Sequence, residues 1–378
     1  IAVYVGTHRT FTQEQVEAID GFCATYDAFV ICDHTSGYYG RYRLLPTLAH
    51  LQEKAMPPMG TLDLMIHIGE VSAASFLHSV KAKHVWRVSE DGEIRDTFHK
   101  LDNVFQMSES FFFKSYSQHG TDKHSTIDAL NEKYQAVYGN IPELPFCNIW
   151  ASMPLSSRIP KGSLLHISAS NTRRCWNMFP LPEGVTSSCN VGCCGIDGCT
   201  STLLGASLVN PERICYIVTG ELAFFYDING IFNRHVGNNF RILVVNNGLG
   251  AEFRLYLHPC HTFGTDANRF MAAAGHNGNK SPQLLRHIAE DMGFEYLTAS
   301  TKEEYEKAIE RFTVDMVTEK PMLLEVFTDP QTESDALKMM TQIATDVQGT
   351  AKRQVINSIK AVAGDAGIKA VKKFLGKK

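Results

Sequence analysis

Two short apolar runs, ICYIV at 214–218 and ILVV at 242–245, constrain the fold more than any other part of the chain. Both are β-branched and read as strands. Each ends abruptly in polar residues, Gly220-Glu221 after the first and Asn246-Asn247 after the second. The segment between them is long enough for a crossover helix, which makes the strands parallel members of one sheet. Their carboxyl ends then share the edge at which open α/β sheets bind ligands. A carboxylate and a carboxamide meeting there, beside glycines that admit close backbone approach, make an all-oxygen set suited to a hard cation such as Mg²⁺. Mg²⁺ held this way commonly carries a phosphate, and a helix starting after Gly220 favours the same anion.

Strand–helix alternation fills the rest of the chain. In the first part, strands are predicted at 2–6, 28–33, 62–69, 84–88 (with a turn at Asp91-Gly92) and 103–107, and helices at 12–26, 45–53 and 71–80. This repetition gives a parallel, Rossmann-like sheet. Gly6-Thr7-His8-Arg9 follows the first strand in place of a G-x-G-x-x-G fingerprint, so dinucleotide binding is not predicted. A polar stretch with a helix at 127–138 ends in Pro142 and Pro145. A second alternating unit has helices at 146–155, from Asn171, at 282–292 and at 302–313, and strands at 163–168, 186–190 and 322–327. The expected fold is α/β, two Rossmann-like domains with parallel sheets flanked by helices. The expected divisions are 1–120, a linker and helix at 121–145, 146–335, and a tail at 336–378.

With 378 residues there is room for two ordinary domains, and a net charge of −4 gives no overall pull toward nucleic acid. Neither a membrane-length apolar run nor a signal-peptide pattern is present. Cys189, Cys193, Cys194 and Cys199 lack paired C-x-x-C spacing, and read as small, reduced residues lining a tight loop in a cytoplasmic protein. His8, His34 and His67, near strand ends, read as hydrogen-bonded structural histidines. From Lys352 the tail is rich in lysine, with Val355, Ile359, Val362, Ile368, Val371 and Leu375 at helical spacing. Such a helix either docks on its own protein or makes peripheral contact with an anionic membrane, as in an enzyme of surface-polysaccharide or lipid metabolism. The chain begins at Ile1 inside a strand, as expected of a cut within a longer protein or a processed end.

On GIDG at 195–198, Ser201-Thr202, Gly220-Glu221-Leu222, YDIN at 226–229 and Val245-Asn246-Asn247, the chain resembles the thiamine-diphosphate (ThDP)-dependent enzymes, in their MenD-like (SEPHCHC synthase-like) branch. The resemblance covers nearly the whole chain, the first half being similar to the family's central Rossmann-like domain and the second to its diphosphate-binding domain. It implies ThDP and Mg²⁺ as cofactors. Glu221, Asn247 and the backbone carbonyl of Leu249 would hold the metal. Ser168, Ala169 and Ser170 would cradle the diphosphate, with Gly220, Leu222 and Ala223 completing the cofactor site. Ile196 matches the wedge that keeps ThDP bent, and the Gly195 carbonyl would accept from its aminopyrimidine. The bend brings the 4′-imino nitrogen to the thiazolium C2 proton, so the cofactor activates itself. Arg174 falls at the position of a substrate-binding arginine, whose fork suits a carboxylate.

Three departures bear on what is implied. Glu221 stands in place of the usual Asp, and Mg²⁺ tolerates little distortion. Val191 stands where a second substrate arginine would be, which argues against MenD's own dicarboxylate substrates. The activating glutamate belongs to an N-terminal pyrimidine-binding domain of roughly 150–200 residues that nothing in this chain matches. The implied activity is decarboxylation of a 2-oxo acid and transfer of its acyl unit to a second acceptor, in a homodimer or homotetramer. The alternative, supported by Glu221 and Val191, is a non-catalytic ThDP-fold binding or scaffold protein with a degenerate metal site.

Overall fold

The computed structural model describes residues 1–53, 59–70, 80–192, 195–270 and 281–344. Twelve parallel strands form two six-stranded sheets among these residues. The first contains β1 (Ala2–Val5), β2 (Phe29–Ile31), β3 (Arg43–Leu44), β4 (Thr61–Ile68), β5 (Lys81–Ser89) and β6 (Leu101–Gln106), in the order β3-β2-β1-β4-β5-β6. The second contains β7 (Leu164–Ile167), β8 (Thr186–Ser188), β9 (Cys215–Gly220), β10 (Phe240–Asn246), β11 (Glu295–Ala299) and β12 (Met322–Phe327), in the order β11-β12-β10-β9-β7-β8. The two apolar runs are β9 and β10, paired in parallel with Val245 beside Gly220. Their polar termini therefore reach the same edge.

Parallel sheets need cover on both faces, and the residues of β9 show it. Tyr216 and Val218 enter one apolar cluster with Trp176 and Tyr305, while Cys215 and Ile217 enter another with Phe224 and Phe240. All seven residues of β10 are buried. Each buried Val, Leu or Ile contributes about 1.5–3 kcal/mol, so a central strand of this kind fixes the sheet before any ligand does.

Several elements depart from expectation for local reasons. The two-residue β3 is too short to carry a periodicity, and β11 is a half-buried edge strand whose EYLTA lacks a clean apolar pattern. Helix Glu109–Tyr116 was not expected because its FFF run has no helical spacing; the Ser108 side chain caps it through the Phe111 N–H. The helix expected at 45–53 is a single turn, Thr47–His50. The expected helix at 71–80 falls almost wholly, and Cys193, Cys194 and the lysine-rich tail from 352 wholly, outside the described residues.

The loop after β2 joins the sheets. His34 Nε2 lies 3.0 Å from the Trp176 carbonyl and 2.8 Å from that of Phe179, and the His34 N–H donates to Asn177 Oδ1. Asp33 lies 3.7 Å from Arg173. The short helix Asn171–Trp176 is thus braced from the first sheet. His67 differs from the expected hydrogen-bonded histidine: it is fully buried against Tyr4 and Phe98, with no hydrogen-bond partner for either ring nitrogen among the described residues.

Candidate functional site

In the second sheet the chain leaves β7 for the edge strand β8 and returns to the other side of β7 as β9. At such a switch point the loops after adjacent strands diverge and open a crevice. A cavity of about 260 Å³ occupies it. Ala169 and Ser170 follow β7, Gly220 to Ala223 follow β9, and Asn247 and Leu249 follow β10; Ile196 joins them in the wall. Nine of the residues singled out in the sequence therefore meet in one wall: Ala169, Ser170, Ile196, Gly220, Glu221, Leu222, Ala223, Asn247 and Leu249. Ser168 lies buried at the end of β7, its N–H bonded to Val218, while Gly195 and Arg174 stand outside the wall.

Ile196 packs on Ala169, Cys189 and Val191, so its side chain is supported from behind. Ser170 adopts φ 71°, ψ −135°, a conformation that costs a non-glycine residue of order 1–3 kcal/mol. Its hydroxyl donates to Glu252 at 2.9 Å. The helix after Gly220 has only six residues, Glu221–Tyr226, and Glu221 itself occupies its first position. The anion-attracting dipole expected there is correspondingly small.

The electrostatics of the wall are those of buried acid. Glu221 is nearly inaccessible, and burial, aggravated by the neighbouring charge of Glu333, pushes its pKa up to about 8. The Asn247 N–H donates weakly to it, at 3.4 Å. Glu333 is also buried and raised; it accepts from Thr328 at 2.6 Å, Asn247 Nδ2 at 3.2 Å and Asn171 Nδ2 at 3.3 Å. Neither carboxylate forms an ion pair among the described residues. The buried Glu221 carboxylate shares the wall with the Asn247 side chain and the Leu249 backbone, a donor set that fits a divalent ion with oxygen ligands. No cluster of three or more His, Cys, Asp or Glu side chains forms a metal site among the described residues. The described cysteines are free thiols.

Sequence reasoning missed Glu252 and Glu333. Glu252 receives Arg174 in a two-pronged contact, Nη1 at 2.8 Å and Nη2 at 2.5 Å. Burial opposes ionisation of Glu252, but Arg174 and Ser170 outweigh it and hold the carboxyl below its usual range. Glu252 lay within the GLGAEF run and could have been flagged as a charge near the strand end; Glu333, in the helix after β12, carries no motif. The Ser201 and YDIN signals have a structural explanation as well. Asp227 accepts from the Ser201 N–H at 2.7 Å and hydroxyl at 2.5 Å, pinning the start of helix Cys199–Leu208.

Of the motifs on which the family resemblance rests, the cavity wall thus gathers Ile196, Gly220-Glu221-Leu222, Val245 and Asn247. A 2-succinyl-5-enolpyruvyl-6-hydroxy-3-cyclohexene-1-carboxylate synthase of Bacteroides fragilis is 30% identical over 295 residues, covering 76% of this chain and 50% of that protein. The chain is a MenD-like member of the ThDP-dependent enzyme family. The synthase of the same name from Phocaeicola vulgatus is 30% identical over 272 residues, or 72% of this chain and 47% of the relative. That of Christiangramia forsetii is 33% identical over 195 residues, or 52% and 32%. No protein-family model matches the chain. This MenD-like chain spans about half the length of the curated relatives it matches. Among its described residues no helix is long and apolar enough to cross a membrane.

Proposed function

We propose that the chain is the cofactor-diphosphate-holding portion of a ThDP- and Mg²⁺-dependent enzyme that decarboxylates a 2-oxo acid and passes the acyl unit to a second substrate. The observation that carries this is the convergence of Glu221, Asn247, Leu249, Ser170 and Ile196 on one cavity at a sheet switch point. Glu221, the Asn247 side chain and the Leu249 carbonyl would hold Mg²⁺. Ser168, Ala169 and Ser170 would receive the diphosphate through backbone and hydroxyl groups, with Gly220, Leu222 and Ala223 beside it. Ile196 would set the bend, and the Gly195 carbonyl would orient the aminopyrimidine. When bound, ThDP supplies an electron sink for the charge left as CO₂ departs.

The remaining steps fall to groups that orient substrate and exclude water. Arg174 would anchor the carboxylate of the 2-oxo acid, which requires its fork to be shared with or released by Glu252. A pyrimidine-binding domain, N-terminal in the family, would supply the activating glutamate, and the site would be completed in a homodimer or homotetramer. We assign residues 1–120 to a central domain and 146–335 to the diphosphate domain, joined through 121–145 and followed by a tail, in a cytoplasmic protein.

The Arg174–Glu252 contact also supports a second reading, a ThDP-fold binding protein without catalysis, because the expected substrate anchor is already neutralised. Calorimetry of the full-length protein with ThDP and Mg²⁺, followed by turnover of a 2-oxo acid panel, separates the two. Cofactor binding with turnover supports the enzyme; binding without turnover supports the second reading; and absence of ThDP binding overturns the enzyme. If Glu221→Asp creates tight ThDP binding that the native protein lacks, the native site is a degenerate one.

A further inference from the structure

The cavity at the switch point of the second sheet is lined by acids and apolar side chains. Glu221 and Glu252 are its ionisable residues, and Ile196, Leu222, Ala251 and Phe253 supply apolar surface. Among the described residues no Lys, Arg or His belongs to the lining. Arg174 stands outside it and reaches the cavity only through its contact with Glu252. What Arg174 can offer a substrate is therefore decided by Glu252.

Glu252 lies in the 3₁₀ turn Ala251–Arg254 that follows β10. Its carboxylate accepts from the Ser170 hydroxyl at 2.9 Å and from both terminal nitrogens of Arg174, at 2.8 and 2.5 Å. Ser170 and Arg174 follow β7, and β9 lies between β7 and β10 in the sheet, so the carboxylate is tied across the crevice. The Arg174 and Glu252 side chains are only 18% and 27% exposed, and an ion pair shielded from water is held more firmly than one on an open surface.

Arg174 has five N–H donors, and three are engaged: two on Glu252 and one on Asn171 Oδ1 at 3.3 Å. The remaining two suffice to share the fork with one incoming carboxylate. A second carboxylate finds no net charge, because Arg174 and Glu252 cancel. Glu221 belongs to the metal in the reading above, and Val191, packed with Ile196, contributes no charge. A diacid would thus set its far carboxylate beside Glu252 and apolar surface. Desolvating an unpaired carboxylate next to a like charge is a repulsive term that rejects one substrate without weakening another. A monoacid with an apolar side chain meets no such term.

Resting on the ThDP reading, we propose that Glu252 is a specificity-determining residue: it restricts this site to 2-oxo acids with one carboxylate and an uncharged, apolar side chain, and excludes 2-oxo diacids. The test uses the full-length protein with ThDP and Mg²⁺, and ThDP binding is measured first by calorimetry. The probes are 2-hydroxybutanoate and 2-hydroxyglutarate, with one and two carboxylates. Both lack the carbonyl at which ThDP chemistry begins, so they report binding without turnover. The monoacid is expected to bind about tenfold more tightly or better. Glu252→Gln keeps the shape of the side chain, removes its charge and frees the Arg174 fork. It should tighten the diacid about tenfold more than the monoacid. The inference is overturned if neither probe binds, if both bind the native chain equally, or if Glu252→Gln leaves their ratio unchanged. Should that variant fail to fold, the native-chain comparison decides alone. Absence of ThDP binding overturns the enzyme reading and this inference with it, whereas ThDP binding with equal probe affinities sinks only the inference.

Discussion

The two carboxyl edges share one architecture and bury different charged side chains. Both are parallel six-stranded sheets with a crevice where the strand order reverses. The first buries Arg87 beside its cavity and a neutral His67 nearby in the sheet; the second buries Glu221 and Glu333. A fold that supplies the same geometry twice leaves the ligand to be chosen by the one or two charged side chains that the core forces out of water. On this comparison, the second edge suits a cation and whatever that cation carries, while the first buries its charge as a lone guanidinium, Arg87.

The largest effect expected on the comparison is acid sensitivity of the first sheet. Burial, then the charges of Arg87 and Arg95, push the His67 pKa down to about 3. A histidine depressed in the folded state contributes stability that is present above its unfolded pKa, about 6.5, and lost as pH falls toward the folded value. At pH 4 the unfolded chain binds the proton and the folded chain resists it, a loss of about 3 kcal/mol. Since His67 makes no hydrogen bond among the described residues, His67→Leu removes the proton site at modest packing cost. Urea unfolding at pH 7 and pH 4 checks this: the variant should lose clearly less stability than the native chain between the two values, and an equal loss would sink the idea.

Next in size is the cation at the second edge. Glu221→Gln keeps the shape of the side chain and removes the charge, and should lower Mg²⁺ affinity on the order of 100-fold, or about 2.7 kcal/mol. Calorimetry with Mg²⁺ and ThDP on the full-length protein reads it directly. Unchanged Mg²⁺ binding would remove Glu221 from the metal set and blur the contrast between the two edges.

What was legible in the sequence follows the same division. β9 and β10 were visible because they are buried on both faces, and the residues at their ends were visible because polar groups abruptly follow apolar ones. Glu221 and Asn247 were therefore legible from the strand ends, whereas Ile196 was legible only through the family resemblance. Glu333 was not, because it comes to the site from a helix after β12, 86 positions from the asparagine it bonds. Arg87 was hidden inside a strand where an arginine ordinarily reads as solvent-facing. The edge strand β3 escaped for its two-residue length, β11 for lack of a cleanly buried face, and the FFF run of helix Glu109–Tyr116 for lack of a period. Local burial writes itself into sequence; contacts between distant segments do not.

A smaller effect tests whether the motif at 226–229 is chemistry or scaffolding. Asp227 holds the Ser201 N–H and hydroxyl and does not line the cavity. Asp227→Ala should cost about 1 kcal/mol, the usual loss of a helix cap. It should speed hydrogen exchange in helix Cys199–Leu208 and leave Mg²⁺ affinity within about twofold, since a lost cap acts on the helix and not on the metal ligands. A tenfold fall in metal affinity would instead make the helix start part of the site.

The smallest expected effect concerns Ser170, and it sets two terms of similar size against each other. The first edge meets its left-handed turn after β4 with glycine, Gly69 at φ 71°. The second edge has a serine at the same φ, which costs about 1–3 kcal/mol for a residue with a Cβ. Ser170→Gly relieves that strain but frees the unfolded chain by about 0.5–1 kcal/mol and deletes the bond to Glu252, about 1 kcal/mol or more. The terms nearly cancel, so a thermal midpoint within a few degrees of the native chain is expected. The informative part is where the variant differs. Without the hydroxyl, Glu252 retains Arg174 as its side-chain partner among the described residues, and the anchor should be easier to release to a substrate carboxylate. If Ser170→Gly binds a 2-oxo acid more tightly while folding equally well, the strained serine is a latch on Arg174. If binding is unchanged, the strain serves the diphosphate cradle alone.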